Sequence, residues 1–146
     1  MSDTERRAAN REVLEQAVAA IGTGDREMLA NLYTEDWVLE LPFSDPPKRL
    51  EGAAEIAAYL GPQMGRFEFT LSLVDVHSCV DPDLLVAEYT SEGRAIATGR
   101  SYRNTYIGLW RFRNGQICGV KEYLNPLVVA DALAADDISG SPNDRG

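Results

Sequence analysis

Glu122 is a carboxylate in an unusual setting. It lies in the run Gln-Ile-Cys-Gly-Val-Lys-Glu-Tyr-Leu, residues 116–124. On an extended strand, side chains two apart share a face. Glu122 therefore shares a face with Cys118, Val120 and Leu124, while Gly119, Lys121 and Tyr123 point the other way. A carboxylate among apolar neighbours must be hydrogen-bonded, ion-paired, protonated or functional. Paired with an arginine across the strand, it is ordinary sheet chemistry. Enclosed without one, it has a raised pKa and can take and return a proton near neutral pH.

A hairpin positions it. Two runs rich in aromatic and β-branched residues, 101–113 and 116–124, flank Asn114-Gly115. Asn and Gly tolerate the positive φ angles of a tight type I′ turn, so the runs read as paired antiparallel strands. Upstream, Val13, Leu14, Ala17, Val18 and Ile21 repeat every 3.6 residues and predict an amphipathic helix over 4–21, capped by Thr4 or Asp3 and ended by Gly22 and Gly24. Asp25 starts a second helix to about residue 33, and a strand follows over 37–41. The prolines near residues 46 and 47 predict a loop. A third helix spans 51–60 and is closed by Gly61-Pro62; strands follow over 67–77 and 84–92, with a break at Gly93. Asn125-Pro126 opens a short C-terminal helix to about residue 135. Strands following helices indicate an α+β fold, with N-terminal helices covering one face of a curved antiparallel sheet.

Composition bounds the partners. At 146 residues the chain reads as one domain over 1–137 with a flexible tail over 138–146. The formal charge is −9, from 23 acidic and 14 basic residues, which argues against nucleic acid or anionic lipid as a partner. No apolar run approaches the roughly 20 residues of a membrane span, and no apolar stretch follows the charged segment from Asp3 to Arg7. A cytoplasmic protein is the reading. Cys79 and Cys118 lack metal-binding spacing and His77 is the one histidine, so metal ligands and cofactors are not called for. His77 reads as a surface residue at a strand end.

The order of elements, with the hairpin and the ending Glu-Tyr-Leu-Asn-Pro over 122–126, resembles the SnoaL-like branch of the ketosteroid-isomerase-like (nuclear-transport-factor-2-like) superfamily. The resemblance covers about residues 8–135 and implies a cone of curved sheet capped by helices around a pocket. Phenazine-biosynthesis A/B proteins are similar over Asn104-x-Tyr-Ile, Phe112-x-Asn-Gly-x-Ile and Glu122-x-x-Asn-Pro. Their acid/base glutamate falls on Glu122, and their pocket histidine and serine fall near Tyr59 and Gln63. Limonene-1,2-epoxide hydrolases are similar over Thr98-Gly-Arg-Ser-Tyr, with an acidic residue at the place of Glu122. Their Arg-x-Asp pair would fall on Tyr89 and Ser91, which supply neither guanidinium nor carboxylate.

The resemblance turns Tyr89, Ser91, Asn104 and Tyr106 inward, and alternation adds Tyr102. On the first strand Glu40 shares a face with Val38 and Pro42; if that face is inward, the cavity holds two carboxylates, Glu40 and Glu122. Such a pair splits into one acid and one base, with Tyr and Asn as donors to a developing oxyanion. The implied function is a cofactor-independent acid/base enzyme on a small hydrophobic molecule, of isomerase, cyclase or dehydratase type. Glu122 and Glu40 would be catalytic, and Tyr59, Tyr89, Ser91, Tyr102, Asn104, Tyr106, Val120 and Leu124 substrate-binding. The alternatives are an epoxide hydrolase with a rearranged acid/base set and a non-catalytic binding module. The resemblance and the outward Ile107 and Tyr123 also imply a homodimer through the outer sheet face.

Overall fold

Ser2 begins the first helix. Its hydroxyl accepts from the Glu5 amide at 3.1 Å, and the Glu5 carboxylate accepts from the Ser2 amide at 2.9 Å, a reciprocal cap that starts the helix ahead of Thr4. The computed structural model describes residues 1–134. The expected tail over 138–146 and the end of the expected 126–135 helix lie outside the described residues. The described elements are α1 (Asp3–Thr23), α2 (Arg26–Leu32), β1 (Tyr33–Leu41), β2 (Lys48–Glu51), α3 (Ala53–Met64), β3 (Phe67–Ser78), β4 (Leu84–Ala95), β5 (Ser101–Arg113), β6 (Gln116–Leu124) and α4 (Pro126–Leu133). No helix among the described residues is long and apolar enough to cross a membrane.

The strands form one curved, unclosed sheet in the order β2-β1-β6-β5-β4-β3. Neighbours run antiparallel except β1 and β6, which are parallel. At the central hairpin Asn114 has φ 53° and Gly115 φ 80°, the two left-handed residues of the expected turn. Alternation is clean on β5, where even-numbered residues 102–112 are buried and Arg103, Thr105, Arg111 and Arg113 are exposed. The inner face carries Leu85, Ala87, Tyr89, Tyr106, Trp110, Phe112, Ile117 and Val120, and α1 covers it with Leu14, Ala17 and Val18. Asn10 of α1 donates to the Pro82 carbonyl and the Asp83 carboxylate, tying the helix to the turn before β4. At the far end, α4 packs Ala132 against Ala95 and Tyr102.

Several expected boundaries move for local reasons. Tyr33 begins β1 rather than ending a helix, and its ladder partner is Ile117. The Pro-rich loop leads into β2, which pairs back on β1, so α3 starts two residues after the expected 51. Pro62 sits inside α3, where the Gly65 amide closes the final turn on the Gly61 carbonyl. Gly93 does not break β4. A Cβ there would lie 1.9 Å from the Glu68 carbonyl oxygen, so glycine is what lets β3 approach and the strand continue.

Candidate active site

Glu122 has its place because β6 carries one extra residue. Trp110 faces Val120 across the ladder, but Phe112 faces Ile117, with the shift between Arg111 and Phe112. The bulge removes Cys118 from the expected inward set and puts Ile117, fully buried, in its place. Beyond it the alternation holds. Val120 is buried, and Leu124 packs against the core opposite Tyr106.

Glu122 lies directly across the ladder from Gly108, and Gly108 from Ala87. The phenol of Tyr89, on β4, passes over Gly108 and donates a very short hydrogen bond to Glu122 Oε2. A Cβ on residue 108 would fall 2.8 Å from the Tyr89 hydroxyl and 2.5 Å from Trp110 Nε1. The bare backbone of Gly108 is thus the floor on which both polar heads rest. Tyr106 stacks on Tyr89, with ring centroids 5.2 Å apart and planes 9° from parallel.

The electrostatics follow from enclosure. Part of Glu122 is open to solvent, but the surrounding protein strips most of its hydration and raises its pKa; the Tyr89 hydrogen bond opposes that rise. The Tyr89 phenol is pushed far up by its own burial and then by the charge on Glu122, so it stays a neutral donor. Burial raises Tyr33 and Tyr106 as well, and Glu122 adds to both. The Trp110 indole N–H stands beside the Tyr89 hydroxyl without closing a well-formed hydrogen bond, and it works against the Tyr89 shift. Among the described residues Oε1 of Glu122 has no hydrogen-bond partner, and it is not among the fully buried unpartnered atoms. One oxygen is held and the other is accessible.

A second network lies beside this group. The Tyr102 and Tyr106 hydroxyls are 2.7 Å apart, and Tyr106 donates to Ser91 Oγ at 2.9 Å. Asn104 Nδ2 donates to the Tyr102 hydroxyl and the Asn125 carbonyl, each at 3.1 Å. Its Oδ1 accepts from the amides of Thr105 and Asn125. Asn104 is therefore fully engaged as a clamp at the junction of β6 and α4, not a free substrate donor. Ser91 likewise accepts from the Asn104 amide at 3.1 Å. The Tyr102 ring is wedged against Phe67, 4.5 Å between centroids, beneath α4.

Two expected members fall outside. Glu40 does not join Glu122. Its ladder partners are Arg49 and Lys121, and its carboxylate is bridged to the Arg49 guanidinium at 3.1 Å. The inward neighbour on β1 is Leu39, opposite Val120, so the face through Glu40 is the outer one. Tyr59 sits on α3 under the Lys48 ammonium, 5.6 Å from the ring centroid, and among the described residues it makes no hydrogen bond or aromatic ring contact with the Glu122 cluster. Tyr33, Gly108 and Trp110 are members the sequence reading passed over. Alternation from Tyr102 and Asn104 onward already pointed to residues 108 and 110. Tyr33 gave no such signal, because it continued a helical pattern.

Comparison with known proteins agrees with this architecture. A family model for the SnoaL-like domain matches residues 14–120. The uncharacterized protein YesE of Bacillus subtilis (strain 168) is 32% identical over 125 residues, covering 84% of this chain and 85% of that protein. The uncharacterized PhzA/B-like protein PA3332 of Pseudomonas aeruginosa is 30% identical over 127 residues, covering 84% of this chain and 89% of that one. The crystal structure of a candidate isomerase from Bacillus subtilis superposes with a TM-score of 0.78 at 30% identity, covering 90% of this chain and 95% of that one. With a family match across most of its length and relatives of this similarity, the chain belongs to the SnoaL-like domain family.

Proposed function

We propose that this protein is a cofactor-independent acid/base enzyme of isomerase, cyclase or dehydratase type, acting on a small hydrophobic molecule held against the inner sheet face. The observation that carries this is the division of labour on one carboxylate: Tyr89 holds Oε2 of Glu122, and Oε1 is left accessible. In this reading Oε1 takes a proton from an acidic carbon of the substrate and returns it at another atom, so no redox partner enters. The raised pKa of Glu122 suits both halves of that transfer. Tyr89, Tyr106 and Trp110 are packed into the core beside Glu122, and these apolar surroundings suit an apolar substrate at Oε1. The names of two relatives, a PhzA/B-like protein and a candidate isomerase, support the same class. The half-buried free thiols Cys79 and Cys118 suit a reducing compartment such as the cytoplasm.

The test is Glu122→Gln, which keeps the shape and an acceptor for Tyr89 but cannot carry the proton. Turnover of carbonyl and hydroxy-carbonyl substrates, or of epoxides if the carboxylate activates water, falls by a factor on the order of 10²–10⁴. Full activity in that variant removes Glu122 from the mechanism.

A non-catalytic reading has one observation in its favour. The hydroxyls of Tyr102, Tyr106 and Ser91 and the amide of Asn104 bond to one another or to backbone. Few polar groups besides Glu122 remain to act on a ligand. Ligand binding that Glu122→Gln leaves intact, with no turnover by the unmodified protein, would establish a binding module instead.

A further inference from the structure

The outer face of the β3–β4 hairpin repeats one device. Carboxylates there meet arginines across the ladder: Glu68 with Arg94 at 2.6 Å, and Glu92 with Arg103 at 3.1 Å. The far end of the hairpin departs from it. Asp75 faces Glu88 in register, and His77 follows Asp75 by two residues on the same face. His77 Nε2 lies 2.7 Å from Glu88 Oε2 and 3.8 Å from Asp75 Oδ2. Among the described residues neither carboxylate has an arginine or lysine partner, so one imidazole stands between two anions.

A bulge builds this arrangement. Leu73 pairs with Tyr89 and Asp75 pairs with Glu88, so Val74 is the extra residue and is left 64% exposed. Without that insertion the alternation from Leu73 would turn Asp75 inward, against Ala87. With it, Val76 takes the inward place opposite Ala87, and Asp75 and His77 both face outward beside Glu88. One donor atom from each residue then lies within 4.8 Å of the other two.

We propose that Asp75, His77 and Glu88 form a surface site for a divalent transition-metal ion of the Zn2+ class. One imidazole nitrogen and two carboxylate oxygens are a common zinc donor set, and a tetrahedral ion about 2.0–2.1 Å from each ligand would hold its ligands about 3.3 Å apart. The observed separations of 2.7 and 3.8 Å bracket that spacing, so small rotations of exposed side chains close the site. The fourth position is left to water. The nitrogen ligand selects against Mg2+ and Ca2+, which prefer all-oxygen shells. The site lies on the opposite sheet face from Glu122 and is independent of the acid/base reading. The sequence pattern hid it because residue 88 joins the 75–77 pair only through strand pairing.

The test is calorimetric titration of Zn2+ into the chelator-treated full chain. The expected result is one ion per chain, with affinity lowered about tenfold or more in each of His77→Ala, Asp75→Asn and Glu88→Gln, and unchanged in a Cys79→Ser/Cys118→Ser variant. His77 is the one histidine, so its imidazole signals report the site directly in nuclear magnetic resonance spectra. They should shift to saturation at one equivalent. Absence of binding, binding indifferent to His77→Ala, or binding lost in the cysteine variant instead would each overturn the proposal.

Discussion

Tyr89 reaches Glu122 across an intervening strand, and it crosses where that strand has no side chain. The phenol leaves β4, passes over Gly108 of β5 and donates to Glu122 of β6. An alanine at 108 would put a methyl group 2.5 Å from Trp110 Nε1 and 2.8 Å from the Tyr89 hydroxyl. Both rings are almost fully buried and have little room to retreat. Gly108→Ala should therefore cost about 1–3 kcal/mol of stability by overpacking. It should also separate Tyr89 from Glu122, which chemical denaturation and the titration of the Glu122 carboxyl carbon would report together. A variant as stable as the parent, with an unchanged Glu122 titration, would show that the contact does not depend on the glycine.

Glu122 also makes a prediction about pH. Desolvation raises its pKa in the folded protein above the ordinary 4.5. The folded state therefore holds the proton more tightly than the unfolded one between those two values. Its contribution to stability is present below the unfolded value and is lost as pH rises through the folded one. Asp36, lowered by its Arg113 partner, has the opposite slope, so the total curve mixes signs. Subtracting the stability of Glu122→Gln from that of the parent at each pH isolates the effect. The difference should turn against the parent as pH climbs above about 4.5. A flat difference would mean that the carboxyl is not desolvated.

Asn104 holds the start of α4. Its side chain donates to the Asn125 carbonyl and accepts from the Asn125 amide, and it meets the Tyr102 hydroxyl as well. Asn104→Ala leaves these groups unpaired, at a cost of about 2–4 kcal/mol. Hydrogen exchange should rise first over residues 126–133 and only later in the central strands. Uniform protection in the variant would argue that α4 is held by its apolar contacts alone.

We propose that the outer sheet face pairs with a second copy of the chain. Ile107 is 41% exposed opposite Tyr123, and Phe43, 56% exposed, stands edge-on to Tyr123 at 5.2 Å. We expect a homodimer by light scattering at micromolar concentration, and Ile107→Lys should halve the measured mass without changing the circular dichroism. A monomeric parent would exclude this interface.

Features set by neighbours in the chain were readable from the sequence. Asn114-Gly115 dictated its turn because both positions need positive φ. Alternation over β5 assigned Tyr102, Asn104 and Tyr106 to one face, since the period of two is a property of any extended strand. The α+β class followed from the order of elements. Tertiary structure alone decided the rest, because a face is inward only relative to what packs against it and a one-residue shift reverses it. Glu40 turned to Arg49 because β1 docks with Leu39 inward. A bulge exchanged Cys118 for Ile117, and another gathered Asp75, His77 and Glu88. Tyr33 and Tyr89 came under the field of Glu122 through strands far apart in sequence. The period of a strand is local; its register and its partners are set by long-range pairing.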